Sequence, residues 1–328
     1  MTFTIAIIGL GQMGASYAKY ASCLADKVIC YDNDIHQSAT FKNRVLNDNN
    51  PFDISNNVAI DIDKIELVDT LNAVWEHNPI LTIVTTHKDS HCYYSSLAMR
   101  NNSHVLTEKP LCINFEEAEH LKQISFITRK KLFIGFSLHG TPAFLKLKEL
   151  VNSTNRNTIK KYRVYRIGAV PEDYMDRVSA RFDLLSHDTD FCLQLFSMPK
   201  HTLVDEISAR KCTKLWSYPE FELEMEGFMP VTHPNGFEYG FELIYANQTK
   251  VIFSSNDKDH LIIKDSNDEV VELISVTSSS PCQKILEKAL YSINNDDYDQ
   301  YLLNELSIIN GINCMKMLIN DHRSGLDD

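Results

Sequence analysis

Two rhythms of apolar and polar residues divide the chain. Over the first 136 residues, short apolar runs alternate with longer amphipathic stretches. Residues 3–8 (FTIAII) are an uninterrupted apolar run rich in isoleucine, the pattern of a parallel strand buried on both faces. Tyr17, Ala18, Ala21, Leu24 and Ala25 then recur at helical spacing, and KVIC follows as a second strand. PILTIVTTH (79–87) predicts a strand and DSHCYYSSLAMRNN (89–102) a helix capped by Asp89 or Ser90. HVLTEKPL is the next strand, and NFEEAEHLKQISFITR opens a helix with Asn114 and Glu117 in capping-box spacing. KLFIGFSL (131–138) closes the series. Strand and helix in alternation predict a doubly wound parallel sheet, whose ligands sit beyond the carboxyl ends of the strands.

The second rhythm is shorter. IKKYRVYRIG (159–168) reads as the first strand of a second domain, its basic residues on a solvated sheet face. From residue 203 the strand-like runs LVDEISARKC, FEYGFELIYAN, TKVIFSS, HLIIKDS and EVVELISV are separated by turn residues such as HPNG and DSND, which predicts antiparallel hairpins. Residues 281–320 carry leucine and isoleucine at helical spacing, with NNDDYDQ as a helix start. The expected division is residues 1–136 and 137–328.

Glycine is scarce, eleven in 328 residues, yet three fall between positions 9 and 14. Gly9, Gly11 and Gly14 match G-x-G-x-x-G, with Gln12 and Met13 between the last two, a strand before and a helix after. In such a turn the first glycine allows the sharp bend, the second admits a pyrophosphate and the third lets helix and strand pack closely. The helix N-terminus offers free N–H groups to the phosphates. Asp32 ends the second strand, 18 residues beyond Gly14, placed to accept hydrogen bonds from an adenosine ribose. It would repel a 2′-phosphate, and no Lys or Arg lies between Lys27 and Lys42, so NAD is favoured over NADP. Residues 1–136 therefore read as a dinucleotide-binding Rossmann domain. Thr85, Thr86 and Glu108-Lys109-Pro110 lie at the strand ends where the cofactor would bind.

Composition narrows the class. Apolar residues make up 44%, charged residues 23%, and the net charge of −12 argues against a nucleic-acid partner. The eight cysteines include no C-x-x-C pair, which argues against a structural zinc site and a dithiol redox pair. No basic leader or membrane-length apolar run is visible, and a reducing cytoplasm is the expected compartment.

One stretch resists a bland reading. FDLLSHDTDFCLQLF (182–196) is largely apolar, yet an α-helix there would stack Asp183, His187 and Asp190 on one face. A core histidine paired with Asp183 would explain two of them, and helix-surface solvation the third.

The glycine fingerprint, TTHKDSH, EKPL and DLLSHDTD, in this order, resemble the glucose–fructose oxidoreductase / inositol dehydrogenase / MocA family. The resemblance implies a Rossmann domain followed by an α/β domain with a large open sheet, here mostly antiparallel, that carries substrate binding and oligomerisation. It implies that Lys109 lies beside the nicotinamide and the reacting carbon, that His91 sits near the nicotinamide half, and that Asp183 and His187 form the D-x-x-x-H pair on the substrate side. Where members often carry a glycine run before that pair, this chain has RVSARF, whose Arg177 and Arg181 are candidates to hold an anionic substrate.

The chemistry that follows is hydride exchange between NAD and a secondary alcohol or ketone of a sugar, cyclitol or nucleotide sugar. The cofactor takes only the hydride, so the protein must supply a base. His187 is the expected acid/base and Lys109 the polariser, with the reverse assignment left open, and Asp183 orients the imidazole or binds a hydroxyl. No metal is needed. The open sheet's second face predicts a homodimer or homotetramer. The rival readings are reduction of a C=N or C=C bond in a non-sugar substrate, and a non-catalytic NAD-binding regulator of the same fold.

Overall fold

Six short strands, none long enough to stand alone, are held by helices on both faces of a parallel sheet. The computed structural model describes residues 2–48, 58–276 and 279–320, with the side chains of residues 176–177, 205–207 and 320 excepted. The chain forms two units, residues 1–140 with 279–315, and residues 141–278 with 316–328.

In the first unit the order is β1 (Thr4–Ile8), α1 (Gln12–Leu24), β2 (Lys27–Tyr31), α2 (Ile35–Leu46), β3 (Ile65–Leu67), α3 (Leu71–Glu76), β4 (Leu81–Val84), α4 (His91–Arg100), β5 (His104–Thr107), α5 (Phe115–Thr128) and β6 (Leu132–Ile134). The strands lie in the order β3-β2-β1-β4-β5-β6, every pair parallel. All residues of β1, β4 and β6 are buried, as strands covered on both faces must be. The order reverses between β1 and β4, and such a switch point opens a crevice beyond the strands' carboxyl ends.

Helix starts follow local chemistry. Asn114 accepts the Glu117 N–H at 2.8 Å, while the Glu117 carboxylate reaches back to Ile113 N at 3.3 Å. Asp34 caps α2 by accepting from His36 N at 2.9 Å. The 279–315 segment clusters with this first unit, outside the 1–136 span that the strand–helix alternation marks out. Its anchors are tertiary. Within it Tyr298 bonds Ser125 at 2.7 Å and the Tyr301 hydroxyl both donates to Leu132 O and accepts from Leu132 N.

The second unit holds α6 (Pro142–Ser153), β7 (Ile159–Gly168), α7 (Leu185–Phe196), β8 (His201–Ile207), β9 (Lys211–Ser217), β10 (Glu222–Phe228), β11 (Phe237–Tyr245), β12 (Lys250–Ser254), β13 (Asp257–Lys264) and β14 (Val270–Ser275). The helices α8 (Pro281–Asn294), α9 (Tyr298–Leu302) and α10 (Ile308–Asn320) follow. Asp297 caps α9 by accepting Gln300 N at 2.9 Å, as the acidic run predicts for a helix start. The eight strands form one sheet, β14-β13-β12-β11-β7-β10-β9-β8, in which only β10 and β7 pair in parallel. Phe144 of α6 packs edge-on against Phe191 of α7 and Phe241 of β11, joining helices to one sheet face. Among the described residues no helix is long and apolar enough to cross a membrane.

The basic strand β7 divides by parity. Lys161 and Arg163 pair with Glu224 and Glu226 of β10 at 2.8–3.2 Å on the outer face, as a solvated face would have it. Arg166 departs from that expectation. It lies inward with Tyr162 and Val164, only 2% exposed, because an even spacing from Tyr162 puts it on the covered side.

His104 of β5 is set up for acid sensitivity. Its Nδ1 accepts the Lys131 N–H at 2.9 Å, a bond that needs the ring neutral there. Burial, helped by Lys130 and Lys131, pushes its pKa down to about 3. The unfolded chain binds that proton near pH ~6.5, so this contribution to stability is full above ~6.5 and is lost as pH falls toward 3. His104→Asn removes the proton linkage. Urea unfolding at pH 7 and pH 5 should show the wild type losing up to about 1.4 kcal/mol per pH unit more than the variant. Equal acid losses in both proteins would contradict this.

Candidate active site

The glycine turn is built against the end of β4. Gly9 has φ +97°, and a Cβ there would lie 2.6 Å from Thr85 C and Thr86 N. A Cβ on Gly14 would lie 2.2 Å from Gly9 O, so the first turn of α1 rests directly on the bend. Gly11 differs, since a Cβ there would meet nothing within 4 Å. That open space in front of a helix N-terminus is where a pyrophosphate fits. Thr85 donates its N–H to Ile8 O at 2.8 Å and its hydroxyl to Gly9 O at 2.6 Å, tying β4 to the turn. Gln12 is exposed at the start of α1 and bonds Asp48, and Met13 beside it is half-buried.

Asp32 at the end of β2 shapes the same turn. Its carboxylate accepts Leu10 N at 2.7 Å and Asp34 N at 2.9 Å. Arg44 of α2, beyond the stretch in which sequence offers no cation, reaches the carbonyl of the same Leu10 and holds Thr40 Oγ1 at 3.0 Å. Burial, and then Tyr31, Tyr93 and Asp32, raise the Tyr94 phenol of α4.

Two loops beyond β4 and β5 are joined by His91. Its ring is buried, with Nδ1 2.8 Å from Pro110 O and Nε2 3.0 Å from Thr86 O. Burial lowers its pKa against the pull of both carbonyls. A neutral ring donates one hydrogen, so it serves the two carbonyls one at a time. Ser90 occupies the cap position of α4, yet its hydroxyl turns back to Thr86 Oγ1 and His87 O, both at 2.9 Å, bracing the threonine loop. Lys109 and Glu108 are both half-buried in the turn that follows β5, and the Lys109–Pro110 peptide is cis. Burial raises the Glu108 carboxyl, opposed by Lys109, by the Lys109 N–H at 3.2 Å and by the Tyr17 hydroxyl. Gly9, Gly11, Gly14, Asp32, Thr85, Thr86, His91, Glu108 and Lys109 thus gather at the carboxyl ends of β1, β2, β4 and β5. The residues present suit a dinucleotide.

In the second unit the polar stretch does not form one α-helical face. Residues Ala180–Leu184 make a π-helical turn, and α7 begins at Leu185. A wider turn offsets Asp183 from the i, i+4 alignment that an α-helix would give it with His187. Asp183 instead caps the turn. Its carboxylate accepts Ser179 N at 2.7 Å while Ser179 Oγ accepts Phe182 N at 3.3 Å. Asp190 is buried and accepts both contacts from Gln194 Nε2 at 3.0 Å, so surface solvation does not explain it. Asp188, to which sequence assigns no role, forms a bidentate pair with Arg166 at 2.5 and 3.2 Å. Burial pushes the Asp188 carboxyl up against the pull of that guanidinium. Within Leu185–Asp190 only His187 keeps partial exposure. Arg181 is buried in the π-turn with its guanidinium 5.2 Å from the Phe182 ring. The Arg177 side chain lies outside the described residues.

Three functional features escaped the sequence. Tyr17 looks like one more apolar helix position, and only the fold brings it to Glu108. Arg44 and the Arg166–Asp188 pair likewise depend on residues 20 or more positions apart. The parity of β7 was the one signal that pointed at Arg166.

Residues 3–136 match the family model described as GFO_IDH_MocA, an oxidoreductase family with an NAD-binding Rossmann fold. The chain is 26% identical over 196 residues to scyllo-inositol 2-dehydrogenase (NADP(+)) IolW of Bacillus subtilis, an alignment covering 56% of this chain and 51% of that protein. The chain thus spans about half the length of that curated relative. UDP-N-acetylglucosamine 3-dehydrogenase GnnA from Acidithiobacillus ferrooxidans shares the fold with a TM-score of 0.75 at 16% identity, covering 98% of this chain and 97% of that one. A levoglucosan dehydrogenase in complex with NADH and L-sorbose does so at 0.72 and 14%, covering 99% and 97%. The chain is thus similar to the GFO_IDH_MocA oxidoreductase family over its Rossmann half, residues 3–136, and shares the fold of these solved dehydrogenases over nearly its whole length.

Proposed function

We propose that the protein is an NAD-dependent dehydrogenase that exchanges a hydride with a secondary alcohol or ketone carbon of a sugar, cyclitol or nucleotide sugar. The observation that carries this reading is the open glycine turn at the β1/β4 switch point, with Lys109 at the end of β5 in the same crevice-forming set of loops. The relatives named above act on an inositol, a nucleotide sugar and an anhydrosugar by their names, which supports the substrate class.

Bound cofactor accepts or returns the hydride at its nicotinamide. The protein's part is to hold the dinucleotide, aim the reacting carbon and handle one proton. Gly11 and the N-terminus of α1 receive the pyrophosphate, and Asp32 receives the adenosine ribose. The Asp32 carboxylate supports NAD over NADP, although the IolW relative is named for NADP(+). Thr85, Thr86 and His91 line the nicotinamide half. Lys109 donates a hydrogen bond to the reacting oxygen and stabilises negative charge there. His187, the half-buried residue of its helical turn, exchanges the hydroxyl proton, and Asp183 and Arg181 belong to the substrate side.

A panel of sugars, cyclitols and nucleotide sugars, assayed at 340 nm with NAD and NADP side by side, tests the reading. Turnover is expected on at least one of them, faster with NAD, and lowered about 100-fold or more by Lys109→Met or His187→Asn. NADH binding without any turnover, or turnover indifferent to both substitutions, would contradict it.

We also propose that the outer face of the large sheet is covered by a second copy of this chain. Leu273, Ile262, Ile252, Glu242, Arg163, Glu224, Leu215 and Leu203 are register neighbours in one row across all eight strands. Leucines at both ends are more than half exposed, and the centre is charge-paired, a pattern that two-fold symmetry can match to itself. Light scattering should give a multiple of 37.6 kDa, and Leu273→Glu with Ile252→Glu should return the single-chain mass. A wild type that runs at 37.6 kDa would overturn this.

A further inference from the structure

The glycine helix reaches the family lysine through a contact that neither motif reveals. Tyr17, one turn beyond Gly14 on α1, is 1% exposed, and its hydroxyl donates to the Glu108 carboxylate. That carboxylate also accepts the Lys109 N–H at 3.2 Å. Gly135, just after β6, makes the room. A Cβ there would lie 3.0 Å from Glu108 Oε1 and 3.1 Å from the Tyr17 hydroxyl. Two loops and a helix thus converge on one carboxylate beside Lys109.

We propose that Tyr17 and Glu108 are a positioning pair for Lys109, in which a buried phenol holds a carboxylate as the built-in counter-ion of the lysine. The role of Lys109 rests on the function proposed above, but the pair itself does not. Burial keeps the Tyr17 phenol neutral and therefore a donor, so Glu108 is the partner that accepts. Burial also raises the Glu108 carboxyl, and the Lys109 ammonium is the largest influence opposing it. The attraction is mutual, so the same contact favours the charged lysine. Other titratable groups acting on the cluster include Cys282 of α8, which raises the Tyr17 phenol, and His91 of α4, which feels Lys109. Neither supplies a second negative charge while Cys282 stays a thiol. A lysine held as a cation donates to the reacting oxygen and does not remove its proton. Proton acceptance is then left to His187, which decides between the two assignments that sequence leaves open.

Competitive labelling of the full-length protein with acetic anhydride across pH, read by mass spectrometry of the peptide carrying Lys109, measures that lysine without substrate or turnover. Its half-labelling point should fall by about one pH unit in Glu108→Gln. Glu108→Asp keeps the charge and should recover at least half of that shift, and Tyr17→Phe should move the point the same way by less. An unchanged point in Glu108→Gln, or Glu108→Asp behaving like Glu108→Gln, overturns the proposal. If Glu108→Gln fails to fold, Tyr17→Phe decides alone, and no shift there also overturns it. A shifted lysine in a protein that turns over no substrate would leave the pair standing and refute the function.

Discussion

Everything at the candidate cofactor site depends on how closely the β1–α1 turn approaches the end of β4. Gly9 sits in the positive-φ region with Thr85 against it, and Gly14 rests on Gly9 O. Any side chain at either place would press on backbone at 2.2–2.7 Å, which flexible atoms cannot relieve. This approach aims the N-terminus of α1 into the crevice at the switch point and leaves open space only at Gly11. The scarcity of glycine elsewhere makes the cluster intelligible. Gly9 and Gly14 are there because the turn has no room for their Cβ atoms.

The second unit solves a different problem, which is how an apolar helix carries so many ionisable groups. Each is assigned a distinct partner. Asp183 caps the π-turn, Asp188 takes the Arg166 guanidinium, and Asp190 takes Gln194. A buried carboxylate left alone would cost several kcal/mol, so the bidentate pair is a condition for α7 to lie on the sheet. With its neighbours Asp188 and Ser186 both turned inward, His187 is the group whose ring keeps access to solvent.

Much of this was legible because it is local. The glycine spacing, the Asn114–Glu117 cap and the strand–helix alternation are set by residues within a turn or two of each other. What was not legible involves distance or an altered period. Tyr17 and Glu108 are far apart in sequence, and nothing in a helical tyrosine announces a carboxylate partner. Asp183 was read with an α-helical period, but the π-turn over Ala180–Leu184 changes the count. Arg166 was grouped with its basic neighbours, although strand parity already set it beside Tyr162 and Val164. The return of residues 279–315 to the first unit follows from long-range anchors such as Tyr301 on Leu132, which composition does not mark.

The central claim is that the open space at Gly11 is reserved for a dinucleotide. Gly11→Val fills that space from a Cβ that has no atom within 4 Å in the free protein, on a backbone that is extended there. Titration of NADH fluorescence alongside a thermal melt separates the two consequences. The account predicts a melting temperature within a degree or two of wild type and NADH affinity lowered by about 100-fold or more. Unchanged NADH affinity in a folded Gly11→Val protein would contradict it.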